Sequence, residues 1–71
     1  MYLKRIDSRF VDAIGYDPQS LLLEIKFKIS GRIYAFLEVQ KDTYRSFVNS
    51  RSKGHFFNKH IKDNYKHIKI K

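Results

Sequence analysis

From Leu21 to Ile29 apolar and polar positions alternate: Leu21, Leu23, Ile25, Phe27 and Ile29 fall on one side, and Leu22, Glu24, Lys26 and Lys28 on the other. A period of two belongs to a β-strand. It predicts one wholly apolar face and one that is charged beyond Leu22. Ser30-Gly31 predicts a tight hairpin into a further strand from Arg32 to Val39. Upstream, Arg9 to Tyr16 predicts a shorter strand, closed by a turn in Gly15-Tyr16-Asp17-Pro18-Gln19-Ser20. Proline presets φ for a turn position, and the residue before it is pushed toward extended geometry. The first half of the chain therefore predicts a three-stranded antiparallel β-meander.

The period then changes. Tyr44, Phe47 and Val48 stand at i, i+3 and i+4, the apolar stripe of a short helix starting near Lys41 or Asp42. Asp42 suits an N-cap or an early-turn acid, since either meets the positive end of the helix dipole. Asn49-Ser50-Arg51-Ser52 breaks the stripe, and Ser52 is placed to cap a second helix. In that helix Phe56, Phe57, His60, Ile61, Asn64 and Tyr65 share one face. Lys66 to Lys71 alternates again and reads either as a frayed end or as a short edge strand. The predicted architecture is α+β: a three-stranded antiparallel meander followed by two short α-helices packed on one sheet face.

With 71 residues the chain is one domain, 1–71. A domain of this size buries only about 60% of its unfolded surface, so its core must be economical. Six Phe and five Tyr meet that demand. The absence of cysteine excludes a disulfide framework and a thiolate metal site. Met1-Tyr2-Leu3-Lys4-Arg5-Ile6-Asp7 has no apolar stretch of the signal-peptide kind, and the apolar run Leu21-Leu22-Leu23 is far short of a membrane span. The cytoplasm is the expected address, with no membrane span.

The net charge of +8 is unevenly spread. Residues 1–40 hold six Lys/Arg against five Asp/Glu, while residues 41–71 hold nine against two. Such asymmetry points to an anionic partner. On the second predicted helix Lys59, Lys62 and Lys66 stand at i, i+3 and i+7, on one face opposite the aromatic stripe. Lys53 and His55 sit in its first turn, where free backbone N–H groups also favour an anion. On the third predicted strand Tyr34 and Phe36 point to one face, and Ile33, Ala35 and Leu37 to the other. If helices cover the aliphatic face, Tyr34 and Phe36 are stacking platforms for bases. If they cover the aromatic face, both are core, and a chain this short of core material favours the second arrangement.

Three segments together resemble the KTSC domain family, small domains found at the C-terminus of some lysyl-tRNA synthetases and as stand-alone bacterial and phage proteins. The first is Val11-Asp12-Ala13-Ile14-Gly15-Tyr16-Asp17-Pro18. The second is Gly31-Arg32-Ile33-Tyr34-Ala35-Phe36, where the family has a central Y-x-Y. The third, Ser52 to Tyr65, matches S-K-G-x-(F/Y)-F-N-x-x-I-(R/K)-x-x-Y at every defined position. The resemblance spans residues 6–70. Departures are Phe36 for the second aromatic hydroxyl, Gln40 for a proline, Arg9 for a serine and Lys62 for the commoner arginine. The last keeps the charge but loses the planar fork suited to phosphate. RNA binding is what the resemblance implies. Within the third segment Gly54 suits a close approach or an irregular first turn, and Asn58 suits a tie to the Gly15-Tyr16 turn ahead of a ligand contact.

No catalytic machinery is expected. His55, His60 and His67 lack a companion cysteine or carboxylate pair, and Asp7, Asp12 and Asp17 are accounted for by capping and turns. No metal and no cofactor is expected. The leading expectation is a nucleic-acid-binding accessory domain, RNA before DNA. Lys53, Lys59, Lys62 and Lys66 would grip phosphates, Arg45 and Arg51 would widen the patch, and Tyr34 would stack on a base. The runner-up is a protein-interaction module or small regulator that docks on an acidic partner or self-associates. Its basis is surplus apolar surface on Leu22, Tyr34 and Phe36.

Overall fold

The computed structural model describes residues 3–71; what the N-terminal reading says of Met1 and Tyr2 lies outside them. Strands β1 (Lys4–Arg5), β2 (Val11–Asp17), β3 (Leu22–Phe27) and β4 (Ile33–Phe36) precede helix α1 (Lys41–Asn49). Helix α2 (Lys53–Phe56) runs directly into a π-helical turn over Phe57–Ile61, and the chain ends in β5 (His67–Lys69). All neighbouring strands are antiparallel, in the order β1-β2-β3-β4-β5.

The α+β class and the pair of helices are as expected, but the sheet has five strands rather than three. The alternating tail is a strand: after the helices it returns to the free edge of β4, with Ala35 opposite Ile68 and Phe36 opposite His67. The added strand β1 pairs Lys4 with Ile14 and Arg5 with Ala13. Nothing in Lys4-Arg5 itself signals a strand. Pairing is imposed by the exposed edge of β2.

Between β3 and β4 the connection is longer than Ser30-Gly31. The amide of Gly31 donates to the Phe27 carbonyl at 2.9 Å, and that of Phe27 to the Arg32 carbonyl at 2.9 Å, closing a loop over Lys28–Gly31. Gly31 takes φ 72°, a left-handed conformation that glycine adopts without Cβ strain. The longer loop removes Ile29 from the apolar row and leaves it 97% exposed. Leu21 leaves the row at its other end, in a turn at φ 57°.

Strand register decides which face the helices cover. Tyr34, Ile25 and Ile14 lie in one cross-strand row, and Phe36, Leu23 and Tyr16 in the next. These rows carry the core. Val11, Leu23, Ile25, Val39, Phe47 and Ile61 are fully buried, drawn from the sheet, from the β4–α1 connection, from α1 and from the π turn. Burying a side chain such as Leu, Ile or Phe contributes roughly 1.5–3 kcal/mol, so this short list carries much of the stability. The helices therefore cover the aromatic face. At its centre Phe57 meets Phe27 at 5.2 Å, Phe10 at 5.4 Å and Phe36 at 5.5 Å between ring centroids. Edge-on and tilted geometries of this kind suit the ring quadrupole.

Helix entry and exit follow local chemistry. Asp42 is the early-turn acid of α1, not its N-cap, which is Gln40. The Ser50 hydroxyl closes the other end by donating to the Phe47 carbonyl at 2.7 Å. Ser52 caps α2 as expected, its Oγ accepting from the His55 amide at 3.2 Å. The turn between β2 and β3 is held by Asp17, whose carboxylate accepts from the Gln19 amide at 3.0 Å and the Ser20 hydroxyl at 2.9 Å. Those bonds, the serine's first, hold the Asp17 carboxyl below the usual carboxylate range.

Candidate functional site

Two sequence-predicted site residues on different elements come together. Tyr34 on β4 and Lys62, just past the π turn, line one concavity of about 320 Å³. Its floor is aromatic, from Tyr34 with Phe27, Phe36 and Phe57. Phe36 is 2% exposed, so of the two aromatics on β4 it is core, while Tyr34 is half-buried and reaches the hollow. Arg32 and His67 complete the rim with Lys62. The His67 ring stands 5.5 Å from Tyr34, edge-on, and 5.2 Å from Phe36.

The other predicted cations are placed elsewhere. Lys53 and Arg51 line a second groove with Asp7, Ser8, Arg9 and Gly54. There the Lys53 ammonium donates to the Ser50 carbonyl at 2.6 Å, so part of its hydrogen-bonding capacity is already used. Arg45 lies beside the stacked pair Tyr16 and Tyr44, whose centroids are 4.3 Å apart. Lys59 is fully on the surface of the π turn. Lys66 belongs to the connection into β5, beside Glu38, and its carbonyl accepts from the Leu37 amide at 2.9 Å.

The expected single row of Lys59, Lys62 and Lys66 is therefore not formed. Its premise was an α-helix reaching at least Lys66, whereas the helical segment ends at Ile61. The Lys62 amide donates to the Phe57 carbonyl, five residues back, at 2.8 Å, and Asn64 Nδ2 donates to the His60 carbonyl at 2.8 Å. Tyr65 turns back to α1, its hydroxyl 3.4 Å from Thr43 Oγ1. The proposed tie from Asn58 also fails: Gly15 and Tyr16 lie inside β2, and Asn58 is exposed. Gly54 does meet a close neighbour, Phe10. The apolar patch of Leu22, Tyr34 and Phe36 is divided, because Leu22 lies on the opposite sheet face and Phe36 is buried.

Electrostatically, both ion pairs among the described residues fall on Asp12. Its carboxylate is 3.8 Å from Arg5 and 3.6 Å from Lys26. A bulge between Val11 and Ala13 brings it there. Among the described residues no cation of 41–71 has a carboxylate partner, and no three His, Cys, Asp or Glu converge as metal ligands. No helix of the described residues is long and apolar enough to cross a membrane.

Comparison with known proteins places the chain. The model of the KTSC domain matches residues 7–65. The chain belongs to the KTSC domain family. The crystal structure of a KTSC domain protein from Yersinia pestis superposes with a TM-score of 0.93 at 34% identity, covering 99% of this chain and 97% of that one. A lysine–tRNA ligase of Nostoc sp. is 32% identical over 68 residues, which is 96% of this chain but 12% of the ligase. This KTSC domain thus corresponds to a small part of that relative's length.

Sequence reasoning missed Arg32, His67, Phe27 and Phe57 as lining of the concavity. A signal for His67 existed in the alternation of His67-Ile68-Lys69. Laid beside β4 as an edge strand, that segment puts His67 next to Phe36. For Arg32 no comparable signal exists, because its position follows from the loop length between β3 and β4.

Proposed function

We propose that this KTSC domain is a small cytoplasmic nucleic-acid-binding module, taking RNA before DNA, that engages phosphates through the basic surface of residues 41–71. The observation that carries the reading is that, among the described residues, these cations have no carboxylate partner, while the pairs that do form sit on Asp12. Nine Lys/Arg against two Asp/Glu over residues 41–71 leave a surface whose self-repulsion an anionic polymer would relieve. The similarity to part of a lysine–tRNA ligase favours RNA over DNA. An acidic protein partner is the competing reading, and the division of its expected apolar patch removes its main support.

The test is fluorescence anisotropy with a labelled single-stranded RNA, the matching DNA and a duplex, each at three salt concentrations. Affinity should fall with salt along a log–log slope of roughly −0.7 per phosphate neutralised on a single strand. Lys59→Glu with Lys62→Glu should weaken binding and flatten that slope by about 1.4. Unchanged affinity in the double variant, or no binding at low salt, sinks the assignment.

A further inference from the structure

We infer that the concavity between β4, β5 and the π turn is a pocket for one unpaired nucleotide, with the base on the aromatic floor and its phosphate held by Arg32 and Lys62. This rests on the nucleic-acid reading above and narrows it to single strands. The hollow shares its lack of a carboxylate with the one lined by Tyr16, Tyr44, Lys41 and Arg45, where the two rings already stack on each other at 4.3 Å. It differs in charge from the other two basic hollows. The groove of Arg51 and Lys53 includes Asp7, and the hollow of Lys66 includes Glu38. The Tyr34 hollow has three basic side chains and no carboxylate. Arg32 and Lys62 with no carboxylate beside them disfavour a cation as occupant and suit an anion joined to a flat apolar group.

A nucleotide has that shape and charge. At about 320 Å³ the hollow is at the small end of ligand pockets, enough for one base rather than several. Tyr34 and His67 already touch edge-on, with centroids 5.5 Å apart, so a base lies against the aromatic floor beside the pair and not between them. A base inside a duplex presents no free face, so the pocket requires an unpaired one. Base stacking on an aromatic side chain tolerates sequence, because every base has a π-face. The pocket therefore discriminates single from double strands more than one base from another.

The experiment is a two-dimensional NMR titration of the wild-type protein with an eight-nucleotide single-stranded RNA, the same RNA annealed to its complement, adenosine 5′-monophosphate, and inorganic phosphate. The expected result is movement of ring signals of Tyr34, Phe27 and His67 with the single strand and the mononucleotide, and not with phosphate. Tyr34→Ala should weaken single-strand binding about 5- to 150-fold and leave duplex binding unchanged. Arg32→Gln, an exposed substitution that spares the core, should weaken the mononucleotide response as well. If single strand and duplex bind equally, with shifts confined to Arg51, Lys53 and Lys59, the pocket inference is overturned while nucleic-acid binding stands. If neither RNA binds at low salt, both are overturned.

Discussion

Gly54 offers the sharpest test of how the Ser52-Lys53-Gly54 segment is built. It is the second residue of α2, and its φ lies outside the left-handed region, so the backbone does not demand glycine there. A Cβ at this position would meet Phe10 Cγ at 3.4 Å, Cβ at 3.5 Å and Cδ1 at 3.7 Å. These are ordinary van der Waals distances. Gly54→Ala therefore fits, and it removes the entropy that a glycine loses on entering a helix. Alanine is favoured over glycine by about 0.8–1.0 kcal/mol in a helix interior, and the first turn realises part of that. The expected gain is roughly 0.5–1 kcal/mol, or about 2–8 °C in Tm for a domain of this size.

Gly54→Val extends the series. Its γ-carbons would be driven into the Phe10 ring, which is itself wedged against Phe27 at 5.3 Å and Phe57 at 5.4 Å. Overpacking of this kind costs about 1–3 kcal/mol. Thermal unfolding followed by circular dichroism reads both variants. A lower Tm for Gly54→Ala refutes the argument, because it would mean that the Phe10 ring cannot yield even to ordinary contact. A stable Gly54→Ala that loses RNA affinity instead assigns the glycine to a ligand's approach.

Two further variants probe the frame. The Tyr16 hydroxyl donates to the Val39 carbonyl at 2.7 Å, and burial, then the charge of Asp17, then Tyr44 push its pKa above the ordinary tyrosine value. A raised pKa favours the neutral phenol in the folded state, so this contribution is whole below the unfolded value of about 10 and is lost as pH rises through the folded one. Tyr16→Phe should cost about 1 kcal/mol at pH 7, and denaturant melts between pH 8 and 11 should show wild type losing stability that the variant never had; parallel profiles would refute this. Gln40, the N-cap of α1, has φ −69° and ψ 154°. Because proline fixes φ near −65°, Gln40→Pro should stabilise by about 0.4–1 kcal/mol in the same melts, and a loss would show that the Gln40 amide is needed as a donor.

The parts of the fold legible in the sequence were those governed by local period. Leu23 and Ile25 alternate with Glu24 and Lys26 and are buried in β3, and Phe47 anchors the short helix where its stripe placed it. Ser52 caps because its side-chain oxygen reaches an amide three residues on, which is a property of adjacent sequence. What was not legible depended on partners far along the chain. Lys4-Arg5 becomes a strand only because β2 has a free edge, and His67–Lys69 only because β4 has one. Ile29 leaves the apolar row because the loop closes by bonds between Phe27 and residues 31 and 32. The candidate site was half legible. Tyr34 and Lys62 could be named from residue type, but their meeting depends on the geometry of the helical segment between Phe57 and Ile61.

That segment explains why the lysine row failed and what replaced it. Phe57 and Ile61 are spaced by four, which a regular α-helix also places on one face, so it is not their spacing that sets the wider turn. Both Phe57 and Ile61 are buried, at 7% and 0% exposure, and the Lys62 amide bonds back to the Phe57 carbonyl. The Lys62 side chain lines the aromatic hollow together with Phe57, whereas Lys59 and Lys66 do not. π turns inside helices occur frequently at functional sites. Here the turn directly precedes Lys62, which lines the same hollow as Tyr34. The expected basic helix face is thereby exchanged for one ammonium group on the rim of an aromatic hollow.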